Sequence, residues 1–283
     1  MAPRLSWGER TYLMGILNVT PDSFSGDGLA RPDRTIEEVV AAAVDRARGF
    51  VEAGAEILDV GAESTRPRGA YGDHPEVDTT TEESLAVPVV RALVEAFADR
   101  VCVSIDTSKG SVARAALAAG ATIVNDVWAA RRDPGTAEAA AAVGAHLVVM
   151  HNQEEIDYPG GVFDGVVAWL REAIAGAVSR GVARDRLIVD PGIGFGKGTD
   201  ENLELLHRLE ELKVALGGLP LLVGTSRKRF IGELLDGAGA DDRLEGTAAT
   251  VAVAIAAGAD VVRVHDVAEI SRTRRVADAI VRR

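Results

Sequence analysis

Short β-branched apolar runs alternate along the chain with longer alanine-rich stretches of helical character, and each short run ends on a polar or charged residue. Eight such runs can be read: Tyr12 to Val19, ending around Asn18; Glu56 to Val60, around Asp59; Val101 to Asp106, at Asp106; Thr122 to Val127, around Asn125 and Asp126; His146 to His151, at His151; Leu187 to Asp190, at Asp190; Leu221 to Ser226, at Ser226; and Val261 to Asp266, around His265. Continuous apolar runs of about 4 to 8 residues are what strands buried on both faces of a parallel sheet require. A second signal is a recurring Gly-Ala-X-apolar junction, at Gly54, Gly120, Gly144 and Gly258, which follows a helical stretch and precedes a strand. Glycine just past a helix can take the left-handed conformation that closes it, so these positions predict helix-to-strand turns.

Eight strand-helix units in 283 residues predict a (β/α)8 TIM barrel, which typically takes about 250 residues. An open doubly wound sheet is the alternative, but its site would gather polar strand ends at one or two switch points, whereas here all eight strands carry them. No linker or composition shift divides the chain, so residues 1–283 read as a single domain. The segments after strands 1 and 2, Thr20 to Asp33 and Glu63 to Glu82, are rich in Gly, Pro, Asp, Ser and Thr. Long segments over the C-terminal face of a barrel are expected to be mobile lids.

Apolar residues make up 47% of the chain, which excludes general disorder, and the net charge of −12 disfavours nucleic acid or an anionic membrane as partner. Any bound anion needs a local positive site. One cysteine, Cys102, can form neither an internal disulfide nor a zinc cage by itself and reads as a buried core residue. The apolar stretch from Thr247 to Ala259 is shorter than the roughly 18 to 20 residues of a membrane span, and Met1 to Arg10 lacks an apolar signal core. A soluble, cytoplasmic protein is the expectation.

The stretch from Gly192 to Gly198 invites comparison with phosphate loops but fails them: Pro191 stands where a Walker loop needs glycine, Gly198 where it needs Ser or Thr, and Thr199 where a dinucleotide fingerprint needs glycine. HExxH, CxxC and GxSxG are absent from the sequence. What remains is a ring of strand-end groups. Asp106, Asn125 and Asp190 end runs three, four and six, where a barrel aims them into one pocket. Each alone could be a helix N-cap. Together they make an acceptor-rich floor suited to a flat heterocycle presenting several N–H groups. Arg66 in the second loop, Lys228 after strand seven, and Arg263 with His265 in strand eight supply the cations of a phosphate or diphosphate clamp. Period-two alternation sends Arg263 and His265 to the same face. Arg227, Lys228 and Arg229 are a costly basic start to a helix, which argues that the run has a task. His74, His146 and His207 receive no role.

Taken together, Met14 to Ser25 (MGILNVTPDSFS), Glu63 to Pro67 (ESTRP), Ser104 to Thr107 (SIDT), Asn125 to Val127 (NDV), Asp190 to Lys197 (DPGIGFGK), Ser226 to Lys228 (SRK) and Arg263 to Asp266 (RVHD) resemble the dihydropteroate synthase family, in family order over nearly the whole chain. The resemblance implies a folate-pathway transferase that joins 4-aminobenzoate to (7,8-dihydropterin-6-yl)methyl diphosphate, releasing diphosphate. It implies that Asp106, Asn125, Asp190 and Lys228 hold the pterin, that Asn18 coordinates magnesium, and that Thr65, Arg66, Arg263 and His265 meet the diphosphate. It places Phe24, Pro67 and the helix start at Lys228 around the 4-aminobenzoate site, where sulfonamides compete. It also implies homodimerisation, which the residues themselves do not show.

Three departures from the family pattern stand out. Ser25-Gly26-Asp27-Gly28 displaces the loop aspartate by one residue; Met150-His151-Asn152-Gln153-Glu154 changes the segment after strand five and adds acid; and Arg229 follows Lys228 where serine is common. The displaced Asp27 keeps open a catalytically silent pterin-binding paralogue. Two remoter alternatives are a pterin-dependent methyltransferase, which has no use for the diphosphate clamp, and a Schiff-base aldolase built on Lys228.

Overall fold

The computed structural model describes residues 3–20, 28–30, 33–63, 77–97 and 99–282. Eight strands lie parallel in the order β6-β5-β4-β3-β2-β1-β8-β7. They are β1 Tyr12–Asn18, β2 Ile57–Gly61, β3 Cys102–Asp106, β4 Ile123–Asp126, β5 His146–Met150, β6 Leu187–Asp190, β7 Leu222–Val223 and β8 Val261–Val264. The two edges meet: Val189 bridges to Leu221, and its N–H donates to the Pro220 carbonyl at 2.8 Å. The barrel therefore closes, and the open-sheet alternative falls. The seventh strand is shorter than its apolar run predicts. Pro220 offers no N–H to a ladder and Gly224 no side chain to pack, so regular pairing is confined between them.

Helices return the chain between strands: α1 Ile36–Ala53, α2 Thr79–Phe97, α3 Gly110–Ala118, α4 Gly135–Val143, α5 Val162–Ser179, α6 Thr199–His207, α7 Leu209–Ala215, α8 Arg229–Leu234, α9 Leu244–Ala256 and α10 Val267–Val281. The first shows how locally these are specified. The Thr35 side chain accepts from Glu38 N–H while Glu38 reaches back to Thr35 N–H, and Gly54 ends the helix at φ 102°. The other Gly-Ala junctions behave alike, with Gly120, Gly144 and Gly258 at φ 106°, 68° and 89°.

Side-chain alternation then sorts the strands into two surfaces. Leu58, Val60, Val103, Ile105, Val124, Leu147, Val149, Leu187, Val189, Val262 and Val264 face outward and join the helices in one large core. Tyr12, Met14, Ile57, Cys102, Ile123, Val148, Ile188, Leu222 and Val261 face inward and fill the lower half of the barrel. The N-terminal segment plugs the bottom of this inner core. Leu5 and Trp7 pack against it, the Trp7 ring meets Tyr12 and His146 edge-on at 5.6 and 5.7 Å, and the Cys102 thiol donates to the Pro3 carbonyl at 3.3 Å. Cys102 and His146 are thus core residues at the face away from the strand C-termini.

Candidate active site

Two residues further along each strand, the same inward parity brings the polar groups to the upper half of the barrel. Ile16, Asn125, Met150, Asp190, Gly224, Ser226, Arg263 and His265 bound one cavity at the strand C-termini, joined by Val127, Ile193, Phe195 and Lys228 from the connecting segments, with about 480 Å³ of space partly continuous with solvent. The period that lets Ile57 and Val261 fill the bottom thus directs Asp59 and Arg263 upward. Asn125, Asp190, Lys228, Arg263 and His265, scattered over the sequence, meet at this cavity, and Asp106 joins them through its hydrogen bond to Arg263.

The floor is a buried network of acids around one guanidinium. Arg263 Nε donates to Asp59 Oδ2 at 2.7 Å and Nη2 to Asp106 Oδ2 at 2.6 Å, while Asn125 Nδ2 donates to the same Asp59 oxygen at 3.0 Å. The other oxygens of Asp59 and Asp106 are buried without a hydrogen-bond partner among the described residues. Buried acceptors left open in this way match a ligand rich in N–H groups. Burial drives the Asp106 carboxyl up to about 7, with Arg263 opposing the rise and Asp59 adding to it. Burial likewise lifts Asp190 to about 6, against the pull of the Gly192 N–H, Lys228, Lys197 and Arg263. N-capping explains none of Asp106, Asn125 and Asp190 as a group, since the first two bond across the barrel; Asp190 Oδ1 does accept locally, from Gly192 N–H at 2.7 Å.

One wall is the segment after β6. Lys197, 6% exposed, uses all three ammonium protons: on His151 Nδ1 at 2.8 Å and on the Gly192 and Phe195 carbonyls at 2.9 Å each. Burial holds Lys197 down to about 7, and burial together with Lys197 holds His151 at about 2, so the imidazole is the neutral acceptor. Phe195 is thereby presented to the cavity, with the Lys228 ammonium 4.0 Å from its ring centroid and donating to the Ile193 carbonyl at 2.7 Å. Lys197 lies in the glycine-rich stretch that failed the phosphate-loop comparisons. Its role is to pin that stretch, and its place among buried glycines was the signal that could have found it.

Opposite lies the basic turn. Arg227, at φ 60°, faces away from the cavity and grips Asp266 with Nε at 3.1 Å and Nη2 at 2.6 Å. This strained turn brings Lys228 into the pocket wall and leaves half-exposed Arg229 to pair with Glu233 at 3.2 Å. Ser226 Oγ lies 3.0 Å from His265 Nδ1 and accepts the His265 backbone N–H at 3.2 Å, which orients the imidazole at the rim. His207 sits exposed at the end of α6, away from the cavity.

Asn18 ends β1 opposite Gly61, at the same rim but not among the residues bounding the cavity. Phe24 and Asp27 in the first loop, and Thr65, Arg66 and Pro67 in the second, lie outside the described residues. The stems of the second loop are nevertheless tied together. Glu63 Oε1 accepts the Val77 N–H at 3.0 Å, and Lys109 Nζ donates to Glu63 Oε2 at 2.9 Å, the Val77 carbonyl at 2.7 Å and buried Glu82 at 2.5 Å. The sequence reading missed this clamp, because each partner alone resembles an ordinary helix or loop charge.

A barrel whose strand ends form an acidic, hydrogen-bonding floor beside a cationic rim defines a class, and comparison with known proteins agrees: the pattern of the family described as pterin binding enzyme matches residues 14–265. The chain belongs to that family. A dihydropteroate synthase of Clostridium beijerinckii is 42% identical over 98% of this chain and 96% of its own length. A Clostridium difficile dihydropteroate synthase crystallised in the presence of pteroic acid superposes with a TM-score of 0.89 at 41% identity, covering 99% of this chain and 100% of that one. A Xanthomonas albilineans dihydropteroate synthase with 4-aminobenzoic acid gives 0.85 at 39% identity, covering 96% and 93%. Within the family, the chain falls among the dihydropteroate synthases and is a transferase.

Proposed function

We propose that this site condenses 4-aminobenzoate with (7,8-dihydropterin-6-yl)methyl diphosphate to give 7,8-dihydropteroate and diphosphate. The observation that carries this reading is the meeting of Asp190 and Asn125 in one cavity lining with Arg263, whose guanidinium holds buried Asp106, a carboxylate that keeps one oxygen without a hydrogen-bond partner among the described residues. The pterin presents N–H and amino groups to these acceptors and its carbonyl and ring nitrogen to Lys228, while Phe195 and Met150 cover its faces. The methylene carbon then points to the rim. There its bond to the ester oxygen breaks, the electron pair leaves with diphosphate, and the aminobenzoate nitrogen forms the new bond and releases a proton. Ionised Asp106 and Asp190 oppose the positive charge that develops on the pterin methylene, and His265 and the remaining Arg263 edge, with Arg66 and Thr65, stabilise the departing diphosphate. No side-chain nucleophile is needed. Phe24, Pro67 and the chain around Lys228 border the aminobenzoate, the place where a sulfonamide competes.

Magnesium belongs to this reading through Asn18. The described residues contain no group of three or more His, Cys, Asp or Glu able to cage an ion. A single amide oxygen at the rim fits a cation that keeps most of its shell from water and substrate phosphates. When bound, it neutralises diphosphate charge. A homodimer in the cytoplasm completes the reading; no helix among the described residues is long and apolar enough to cross a membrane.

The test is release of diphosphate measured with and without 4-aminobenzoate. Diphosphate and dihydropteroate in equal amounts when both substrates are present is the expected result. Heat stabilisation by the pterin diphosphate without any turnover selects the silent pterin-binding paralogue instead.

A further inference from the structure

The reaction gives no task to Asp59, yet this carboxylate sits fully buried in the middle of β2 and touches two of the residues that do have one. Its Oδ2 accepts from Asn125 Nδ2 at 3.0 Å and from Arg263 Nε at 2.7 Å. The NH2 end of the Asn125 amide thus points toward Asp59 on β2, which leaves its Oδ1 as the acceptor offered to the cavity that Asn125 lines. The same contact fixes the orientation of the guanidinium: Nε donates to Asp59 and one Nη2 proton to Asp106, so the Nη1 protons and the second Nη2 proton are the donors left for a ligand. Without Asp59, the Asn125 amide is free to turn and offer N–H to the N–H groups of a pterin, and Arg263 keeps a single anchor.

We propose that Asp59 is a positioning residue that sets the hydrogen-bond polarity of the pterin site, holding Asn125 acceptor-side in and Arg263 edge-on through one oxygen. This rests on the functional reading above. Its charge acts as well as its geometry: Asp106 bonds Arg263, which favours its ionisation, while Asp59, with the acids Glu82 and Asp126, disfavours it.

The test is Asp59→Asn, which keeps the volume and removes the charge. By calorimetry with 6-hydroxymethylpterin, a ligand without diphosphate, affinity is expected to fall by about ten- to a hundredfold. The KM for 4-aminobenzoate is expected to stay within about twofold. The pH dependence of pterin binding is expected to move to lower pH, because Asp106 loses a negative neighbour. A folded variant with wild-type pterin affinity and an unmoved pH profile overturns the proposal, as does an equal weakening of both substrates. If the wild-type protein binds no pterin, the functional reading falls and this role with it; if the wild type binds and the variant matches it, only the role of Asp59 falls. Should D59N not fold, a crystal structure of the wild type with the pterin decides: Asp59 Oδ2 still bridging Asn125 Nδ2 and Arg263 Nε supports the role, and either partner turned to another acceptor overturns it.

Discussion

Asp106 and Asp190 answer two opposed demands. Buried, they resist ionisation, at about 7 and about 6; ionised, they are the acceptors a pterin needs and the charges that oppose a developing cation. Pterin binding is therefore expected to strengthen as pH rises from about 5 to 8, through those two values, and calorimetry across that window checks it. A flat profile contradicts the assignment. Stability of the free protein runs the other way. Both groups have folded values above the ordinary 3.8, so the unfolded chain ionises first, and their contribution is lost as pH rises from about 4 to 7. The positions of Asp106, Asn125, Asp190, Arg263 and His265 were legible in the sequence because each shares strand parity with an inward apolar residue. Their partners were not. Asp59 read only as another strand-end acid, and its contact with Arg263 joins residues 204 apart in sequence, which no local pattern announces.

At the scale of elements, the walls depend on glycine where backbone meets backbone. Gly192 stands at φ 68°, and a Cβ there lies 1.8 Å from the His151 carbonyl oxygen. Gly192→Ala must move either the end of β5 or the segment that Lys197 pins. It is expected to cost at least about 2 kcal/mol of stability and to raise the KM for the pterin diphosphate, read by urea unfolding and steady-state kinetics. An alanine variant with unchanged midpoint and KM contradicts this account of the wall. Strands and helix ends were foreseeable here because apolar runs and Gly-Ala junctions are local signals. The truncation of β7 depended on Pro220 and Gly224, and the Lys109 clamp on side chains meeting from three elements, so neither showed in periodicity.

The whole molecule keeps its two barrel ends separate. The lower half is filled by apolar side chains and stoppered by the N-terminal segment, and the upper half carries the floor and rim. Trp7→Ala, which removes the ring packed edge-on against Tyr12 and His146, is expected to destabilise the fold by about 2 kcal/mol while kcat/KM holds. Thermal melting beside turnover reads both, and a loss of kcat/KM with an unchanged melt contradicts the separation. The net charge of −12 likewise leaves anion binding to the local cations Lys228 and Arg263, with His265 beside them at the rim. The central claim, that residues dispersed from 18 to 265 act around one mouth, is tested most directly by comparing Asp190→Asn with His207→Ala in a dihydropteroate-forming assay. A loss of about a hundredfold or more in kcat/KM for the pterin diphosphate with Asp190→Asn, beside near wild-type turnover with His207→Ala, is the predicted result. Equal activity of the two variants contradicts it.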